Sequence, residues 1–403
     1  MEGQTMDIVI IDGLRTPFGN FGGSLKQFTA TDLAAMTVDA LIDKTGILEW
    51  GKVDSLICGC ALGDANTKAI ARYIVLQSKL PTETSGIFVE MQCGSAITSL
   101  NHAAWRIMAG MTEVAIVGGM ESYSTMTAKF PMSRPQYSLI PPYPIAQGLT
   151  PNPDRNVDMI TVSDRMAAKW KVTREEADAY ACRSQARLKA SYEKGIAGAG
   201  VIPVTIPATR KTPETTVTAD EFPRPNTTME GLARLRPVHA DGVTTAGNAS
   251  GRNDGAAFLL VMTAKKAEEL GYKPLARWVG GAHCGVQEDL MGIGPAYSNL
   301  KALKAAGLSL EDLDVIECNE AFAAQQLSVI REMESQTGKT IDQEKWNPNG
   351  GAISIGHPNG ASGARLAMFA MNQLEKTGGR YGIISSCCGG GHGTTAILEN
   401  LRR

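Results

Sequence analysis

Short apolar runs and stretches with helical spacing alternate along this chain. Residues 8–11, 54–60 and 113–118 are apolar runs of strand length. Residues 29–44 and 95–111 carry apolar side chains three and four positions apart, the spacing of a helix with one buried face. Strands that alternate with helices are typical of a parallel sheet covered by helices. The pattern therefore predicts the α/β class.

The last third of the chain repeats this order. Three segments of the N-terminal part have counterparts at offsets of 260, 264 and 268 positions. Because the matches are in the same order at nearly constant offset, they indicate that one α/β unit is duplicated. We therefore expect two similar halves packed together. The matching segments are residues 53–58 with 313–318, 93–96 with 357–362, and 114–118 with 381–386.

The middle of the chain has a different texture. Residues 122–161 are rich in Met, Pro and Tyr, residues 164–194 are strongly helical, and residues 205–226 are rich in Pro and Thr. Long loops with embedded helices on an α/β core usually shape a binding site. We therefore expect an inserted loop domain.

Composition narrows the class of protein. The 39 Lys and Arg against 41 Asp and Glu give a formal charge of −2 without a basic run, so we expect no nucleic-acid binding. No apolar stretch reaches the roughly 18 residues that cross a bilayer. The first strand-like run begins at Asp7, which leaves no room for a signal peptide. We therefore expect a cytoplasmic protein that binds no membrane.

The eight cysteines and five histidines do not form a metal-binding pattern. No CxxC pair occurs, and the histidines are scattered. We expect free thiols, most of them buried, and no metal.

Two of these residues stand where nucleophilic chemistry is favoured. Cys93 follows a strand-like piece and begins a helix, where the helix dipole is expected to lower the thiol pKa. His357 lies between Gly and Pro at another helix entry and is a candidate base for that thiol. A buried structural cysteine and a loop-capping histidine are the alternatives.

Two further segments end predicted strands with polar or reactive side chains. Cys387 is followed by three glycines, so it is a candidate acid or base, with the Gly389 amide as an oxyanion donor. Cys388 is expected on the opposite face, and a strained vicinal disulfide is the alternative. Asn319 follows the strand at 313–318 and could anchor a water or a carbonyl oxygen, or simply cap a helix.

Seven sequence blocks, in order along the whole chain, resemble those of the thiolase family. Four are the family's signature blocks and three are supporting ones. The signature blocks are QCGSA at 92–96, NEAFAAQ at 319–325, GGAISIGHPNGASGAR at 350–365 and Cys-x-Gly-Gly-Gly at 387–391, and the supporting ones are RTPFG at 15–19, GGMES at 118–122 and AGNASG at 246–251.

The resemblance implies a layered αβαβα core and a ping-pong acyl transfer through coenzyme A thioesters, without a prosthetic group. Cys93 would be acylated, His357 would activate it, and Asn319 would hold a water for the first oxyanion hole. Cys387 would move the α-proton, and Gly389 would contribute to the second oxyanion hole. A homodimer or homotetramer is expected. The implied domains are residues 1–121 with 252–275, a loop domain at 122–251 that binds coenzyme A, and residues 276–403.

The same resemblance assigns a coenzyme A site. Its expected members are Ser250 and Ala246 at the pantetheine arm, Arg224 near the adenine, and Met159 and Met291 at the acyl pocket. The chain departs from short-chain biosynthetic thiolases at three places. These are Asp158 for a histidine, Ile160 for a glycine, and residues 129–134, which replace an element tied to tetramer formation.

The leading expectation is an acetyl-CoA acetyltransferase that interconverts two acetyl-CoA with acetoacetyl-CoA and CoA in lipid metabolism. The alternative is a 3-ketoacyl-CoA thiolase of broader chain length in fatty-acid degradation. Three other readings are weaker: a decarboxylating ketoacyl synthase, an inactive relative that binds lipid or CoA, and a redox or metal protein.

Overall fold

The computed structural model describes residues 7–131, 143–145 and 147–403, without the side chain of Trp50. Residues 132–142 of the stretch rich in Met, Pro and Tyr lie outside the described residues, and with them part of the departure expected at 129–134. Within the described ranges, no helix is long and apolar enough to cross a membrane.

The first set of strands and its helices come from the N-terminal part and from one later strand. Three of these strands lie close to the apolar runs predicted at 8–11, 54–60 and 113–118. The elements are β1 Ile8–Arg15, β2 Gly19–Asn20, α1 Ala30–Thr45, α2 Ile47–Trp50, β3 Ser55–Gly59, α3 Ile70–Gln77, β4 Ser85–Phe88, α4 Ser95–Met108 and β5 Val114–Glu121.

The middle of the chain contains more regular structure than its composition indicates. A single long helical segment at 164–194 is wrong, because Lys171 adopts φ +55° and Thr173 caps a new helix. The elements are α5 Met159–Trp170, α6 Arg174–Glu193, β6 Val204–Ile206, β7 Thr215–Val217 and α7 Met229–Ala233, followed by β8 Asn253–Thr263 and α8 Ala264–Glu269.

The C-terminal part builds a second set of strands and helices. Short 3₁₀ turns occur at Gln92–Gly94, Glu288–Ile293 and Leu310–Asp312. The elements are β9 Ala276–Gly285, α9 Gly294–Ala306, β10 Leu313–Cys318, α10 Ala323–Thr337, α11 Ala352–Ile355, α12 Ser362–Thr377, β11 Tyr381–Cys388 and β12 His392–Asn400.

The strand pairing shows the duplication directly. The N-terminal order β1-β8-β5-β3 has the same sequence of antiparallel, antiparallel and parallel pairs as the C-terminal order β9-β12-β11-β10. β4 extends the first set, and β1 pairs with β9 only at Ile8–Ile10. The expected parallel sheet is therefore wrong in detail, because each set is mixed: β8 and β12 run antiparallel to both neighbours.

Three apolar clusters pack the helices against the two sets of strands. One joins α4 and α12 with the inner faces of both strand sets. A second packs α1 and α3 on the outer face of the N-terminal strands, and a third packs α9 and α10 outside the C-terminal strands. The five layers α, β, α, β, α follow from this, as expected. The starts of α4 and α12 therefore meet between the two halves.

Candidate active site

Cys93 lies in a tight turn that precedes α4. Gln92 adopts φ +47°, a conformation that a non-glycine residue rarely takes. The Ser95 hydroxyl donates to Gln92 O at 2.7 Å and accepts the Met91 N–H at 3.1 Å. This turn holds Cys93 at the helix start with 9% of its surface exposed.

The electrostatics of Cys93 differ from the expectation. Burial, followed by the charges of Glu121 and Glu90, raises the pKa of the Cys93 thiol to about 12. The expected lowering of its pKa by the helix start is wrong, because loss of water outweighs the single N–H bond the sulfur accepts. The thiol is therefore protonated at neutral pH and needs a base.

His357 occupies the loop between α11 and α12 and is suited to be that base. Its Nδ1 lies 2.6 Å from Ser362 Oγ, which donates its own proton to Pro358 O at 3.0 Å. Nδ1 must therefore carry the imidazole proton, which leaves Nε2 without one. Burial, followed by the charge of Arg365, lowers the pKa of His357 to about 3, so the ring is neutral.

Asn319 adjoins this unprotonated nitrogen. Its Nδ2 lies 3.3 Å from His357 Nε2, and its N–H donates to Ser385 O at 2.8 Å. A helix cap is the wrong reading, because α10 begins later and Phe322 is its N-cap residue. Asn319 is fully buried, and its Oδ1 has no hydrogen-bond partner in the described part of the chain.

Cys387 and Gly389 approach the Cys93 turn from the end of β11. A Cβ atom on Gly389 would lie 3.1 Å from Gln92 Cγ, so this glycine lies against the turn. Burial raises the pKa of the fully buried Cys387 thiol, and the next largest influence is Cys93. The two thiols are therefore electrostatic neighbours.

Cys388 lies on the other face of β11, as expected. Cys387 belongs to the outer apolar cluster with Met291 and Cys318. A Cβ atom on Gly94, by contrast, would lie 2.5 Å from Cys388 Sγ, at the start of α4. All eight cysteines are free, so the alternative of a vicinal disulfide is wrong.

A buried carboxylate that sequence reasoning passed over joins the two halves at this point. Glu121, at the end of β5, is fully buried, and its pKa is raised chiefly by burial. It accepts hydrogen bonds from the Cys60 thiol at 2.9 Å and from the Gly360 N–H at 2.9 Å, as well as from two further backbone N–H groups at 61 and 62. Gly360 belongs to the loop that carries His357. The only sequence signal was its place in the block at 118–122.

Two of the expected coenzyme A residues line one small pocket. Arg224 and Ala246 share it with Phe222, and the Arg224 guanidinium carbon lies 5.7 Å from the centroid of the Phe222 ring. Ser250 lies outside that lining and donates its N–H to Ala321 O at 3.0 Å, two residues from Asn319. The remaining lining residues are Gln185, Thr227, Leu232, Leu235, Gly247 and Ile353.

The two methionines expected at the acyl pocket lie on the side of Cys387 and do not line this small pocket. Met291 belongs to the outer apolar cluster that contains Cys387, and Met159 packs against that cluster. Asp158 caps α5 by accepting the N–H groups of Ile160 at 2.9 Å and Thr161 at 3.0 Å. The residue that replaces the family histidine thus has a structural role in starting this helix.

The thiolase N-terminal domain model matches residues 8–265, and the thiolase C-terminal domain model matches residues 272–400. The chain belongs to the thiolase family. It is 40% identical to a beta-ketoadipyl-CoA thiolase of Pseudomonas aeruginosa, over 99% of this chain and 100% of that protein. It is 38% identical to an acetyl-CoA acetyltransferase of Chromobacterium violaceum, over 98% and 100%.

Solved structures agree with this assignment. Human mitochondrial 3-ketoacyl-CoA thiolase superimposes with a TM-score of 0.89 at 35% identity, covering 99% of this chain and 100% of that one. A CoA complex of the same human enzyme gives a TM-score of 0.88, covering 98% of each chain. Thiolases are acyltransferases that use CoA thioesters without a prosthetic group. The thiolase resemblance, the fold and the enzyme class predicted from sequence are confirmed.

Removal of the Glu121 carboxylate is expected to destabilise the protein. Glu121→Ala leaves buried N–H groups without an acceptor, which costs roughly 3 kcal/mol of unfolding free energy. Urea unfolding measures this. Glu113→Ala, at an exposed carboxylate just before the same strand, is the matched control and should cost less than about 1 kcal/mol. Equal losses for the two variants would contradict the bridging role.

The lowered pKa of His357 predicts an acid dependence of stability. The unfolded imidazole takes up a proton below about pH 6.5, whereas the folded ring stays neutral down to about pH 3. The contribution of His357 to the free energy of unfolding is therefore fully present above pH 6.5. It is lost as pH falls, by about 1 kcal/mol between pH 6 and pH 5. His357→Asn should show a shallower decline in urea unfolding than the wild type. The control is His392→Asn at an exposed histidine, and identical slopes in all three proteins would refute the assignment.

Proposed function

We propose that this protein cleaves 3-oxoacyl-CoA with CoA, and runs the reverse Claisen condensation, through an acyl-thioester on Cys93. Three observations support the proposal: Gly389 lies against the Cys93 turn, Cys93 acts electrostatically on the Cys387 thiol, and Asn319 lies 3.3 Å from His357 Nε2. Two thiols and a neutral imidazole form the set of groups that this chemistry requires.

In the first half-reaction, His357 Nε2 takes the proton of the Cys93 thiol as the sulfur attacks the carbonyl carbon. The protonated Nε2 and a water bound through Asn319 then donate to the oxyanion that develops. Burial supports this role, because a neutral thiol and a neutral imidazole form the resting pair, and charge appears only when a substrate is present.

Cys387 handles the proton on the α-carbon in the half-reaction that breaks or makes the carbon–carbon bond. In cleavage this is the first half-reaction, in which the Cys93 adduct collapses to the acyl-enzyme and Cys387 protonates the departing acetyl-CoA enolate. In condensation it is the second half-reaction, in which Cys387 removes that proton. The backbone N–H groups of Cys93 and Gly389 are the proposed donors to the thioester oxygen of the enolate. CoA then takes the acyl group from Cys93, so that one 3-oxoacyl-CoA and one CoA yield acetyl-CoA and a shortened acyl-CoA.

Coenzyme A would bind along the loop domain at residues 122–251. Arg224 offers an exposed cation beside the Phe222 ring, Ala246 lines the same pocket, and Ser250 bonds to Ala321, two residues after Asn319. The segment that carries Arg224 is anchored to the N-terminal half, because Asp220 accepts two hydrogen bonds from the buried Arg15 guanidinium at 2.7 and 2.8 Å. Met159 and Met291 are the proposed acyl-pocket residues.

Two acyl groups are candidates for the substrate. The acetyl group gives the reaction of two acetyl-CoA with acetoacetyl-CoA and CoA, as in the acetyl-CoA acetyltransferase relative. The second candidate is a 3-oxoadipyl-CoA thiolase, which the beta-ketoadipyl-CoA thiolase relatives at 39–40% identity favour. Both reactions use the same machinery. We further propose a cytoplasmic homodimer or homotetramer with the domain division expected from sequence.

Substitution of the two catalytic thiols should separate the half-reactions. Cys93→Ala is expected to abolish acyl-enzyme formation from acetyl-CoA, as measured by intact-protein mass. Cys387→Ser should still acylate but lose about 10²- to 10⁴-fold in acetoacetyl-CoA formation, because its hydroxyl is a poor acid–base group at neutral pH.

Cys284→Ser supplies a control at a half-buried cysteine whose sulfur bonds to Gly294 O, away from the Cys93 turn. It should retain both half-reactions. Covalent acetylation of Cys93→Ala, or condensation by Cys387→Ser at the wild-type rate, would refute the proposed roles.

A further inference from the structure

Residues 250–253 lead into β8 and run beside the loops that carry Asn319 and His357. Ser250 donates its N–H to Ala321 O at 3.0 Å, and Asn253 Oδ1 accepts the N–H of His357 at 2.9 Å. Arg252 lies between these two contacts. Its backbone is therefore fixed one residue away from the group that holds His357.

Tyr123 connects this segment with Cys93. Its hydroxyl donates to Asn359 Oδ1 at 3.2 Å, two residues after His357. The next residue, Ser124, donates its N–H to Asp254 Oδ1 at 3.0 Å, which places Tyr123 against the segment of Arg252. Burial, followed by Glu121 and Cys93, raises the pKa of the Tyr123 phenol, whereas the charge of Arg252 lowers it. Tyr123 therefore lies within electrostatic reach of both Cys93 and Arg252.

Arg252 is exposed, and its guanidinium has no carboxylate, carbonyl or aromatic partner within residues 7–131, 143–145 and 147–403. Arg15 bonds to Asp220, Arg224 lies over the Phe222 ring, and the fully buried Arg365 lies 3.7 Å from the Glu317 carboxylate. Arg252 also does not line the pocket that holds Arg224 and Ala246. An unpaired guanidinium at this place is suited to a bidentate bond with a carboxylate of the substrate.

We propose that Arg252 is a specificity-determining residue that binds a carboxylate at the far end of the acyl chain. The inference rests on the proposed thiolase reaction and selects 3-oxo-dicarboxylyl-CoA among its substrates. Cleavage of 3-oxoadipyl-CoA leaves a succinyl group on Cys93, whose carboxylate carbon is only three bonds from the thioester carbon. A cation that binds it must lie close to Cys93, and Arg252 lies between Ser250 and Asn253, which bond to the loops that carry Asn319 and His357.

The test compares 3-oxoadipyl-CoA with 3-oxohexanoyl-CoA, which has the same six-carbon chain without the terminal carboxylate. The quantity measured is the ratio of their kcat/KM values in thiolysis. The wild type should favour 3-oxoadipyl-CoA, and Arg252→Leu should lower the ratio by about 10- to 100-fold, the usual effect of losing a hydrogen bond to a charged group. Arg252→Lys keeps the charge and should recover part of the ratio.

Arg210→Leu is the matched control, because it removes an exposed arginine from the turn between β6 and β7. Its ratio should equal that of the wild type. An equal loss on both substrates in Arg252→Leu would overturn the proposal, since the cation would then serve the shared CoA phosphates. A wild type that cleaves both substrates equally well would overturn it too, while leaving the thiolase reaction intact. A wild type that cleaves acetoacetyl-CoA but neither six-carbon substrate would also overturn the proposal, whereas one that cleaves none of the three would refute the thiolase reaction itself.

Discussion

The site depends on one contact between the two halves. The loop at 356–361, which carries His357, packs against the ends of β3 and β5. A Cβ atom on Gly119 would lie 2.1 Å from Gly360 O, and one on Gly360 would lie 2.6 Å from Gly59 O. Only glycines permit this close backbone approach. Glu121 then accepts hydrogen bonds from both sides of the contact. This junction therefore holds the loop that carries His357 against the ends of β3 and β5.

Burial at the junction also sets the electrostatics of the reaction. Loss of water raises the pKa of the Cys93 thiol and lowers the pKa of the His357 imidazole, so both shifts favour the uncharged pair. The Cys93 thiol therefore transfers its proton to His357 Nε2 as the sulfur attacks the carbonyl carbon of the substrate. The exposed fractions of the site residues also differ. Cys93 has 9% of its surface exposed, whereas Cys387 and Asn319 have none. The proposed nucleophile is the outermost of the three.

The sequence predicted β1, β3, β5, β10 and β11, the duplication and the catalytic candidates, because each rests on local pattern or on a motif. The matched segments at 53–58 and 313–318 became β3 and β10, which hold equivalent places in the two strand sets. Contacts between distant segments could not be predicted. The raised pKa of Cys93 depends on burial by both halves, and the proton position on His357 depends on Ser362 and Pro358. The antiparallel β8 and β12 were missed because periodicity does not report strand direction.

The central claim is that Cys93, His357, Asn319, Cys387 and Gly389 act on one thioester. A crystal structure of the acetylated enzyme with bound CoA tests it most directly. We predict an acetyl group on Cys93 Sγ, with its carbonyl oxygen about 2.7–3.1 Å from two N–H donors of this set and with Cys387 Sγ in contact with the acetyl group. An acetyl group on a different residue, or one on Cys93 that touches neither His357 nor Cys387, would contradict the account.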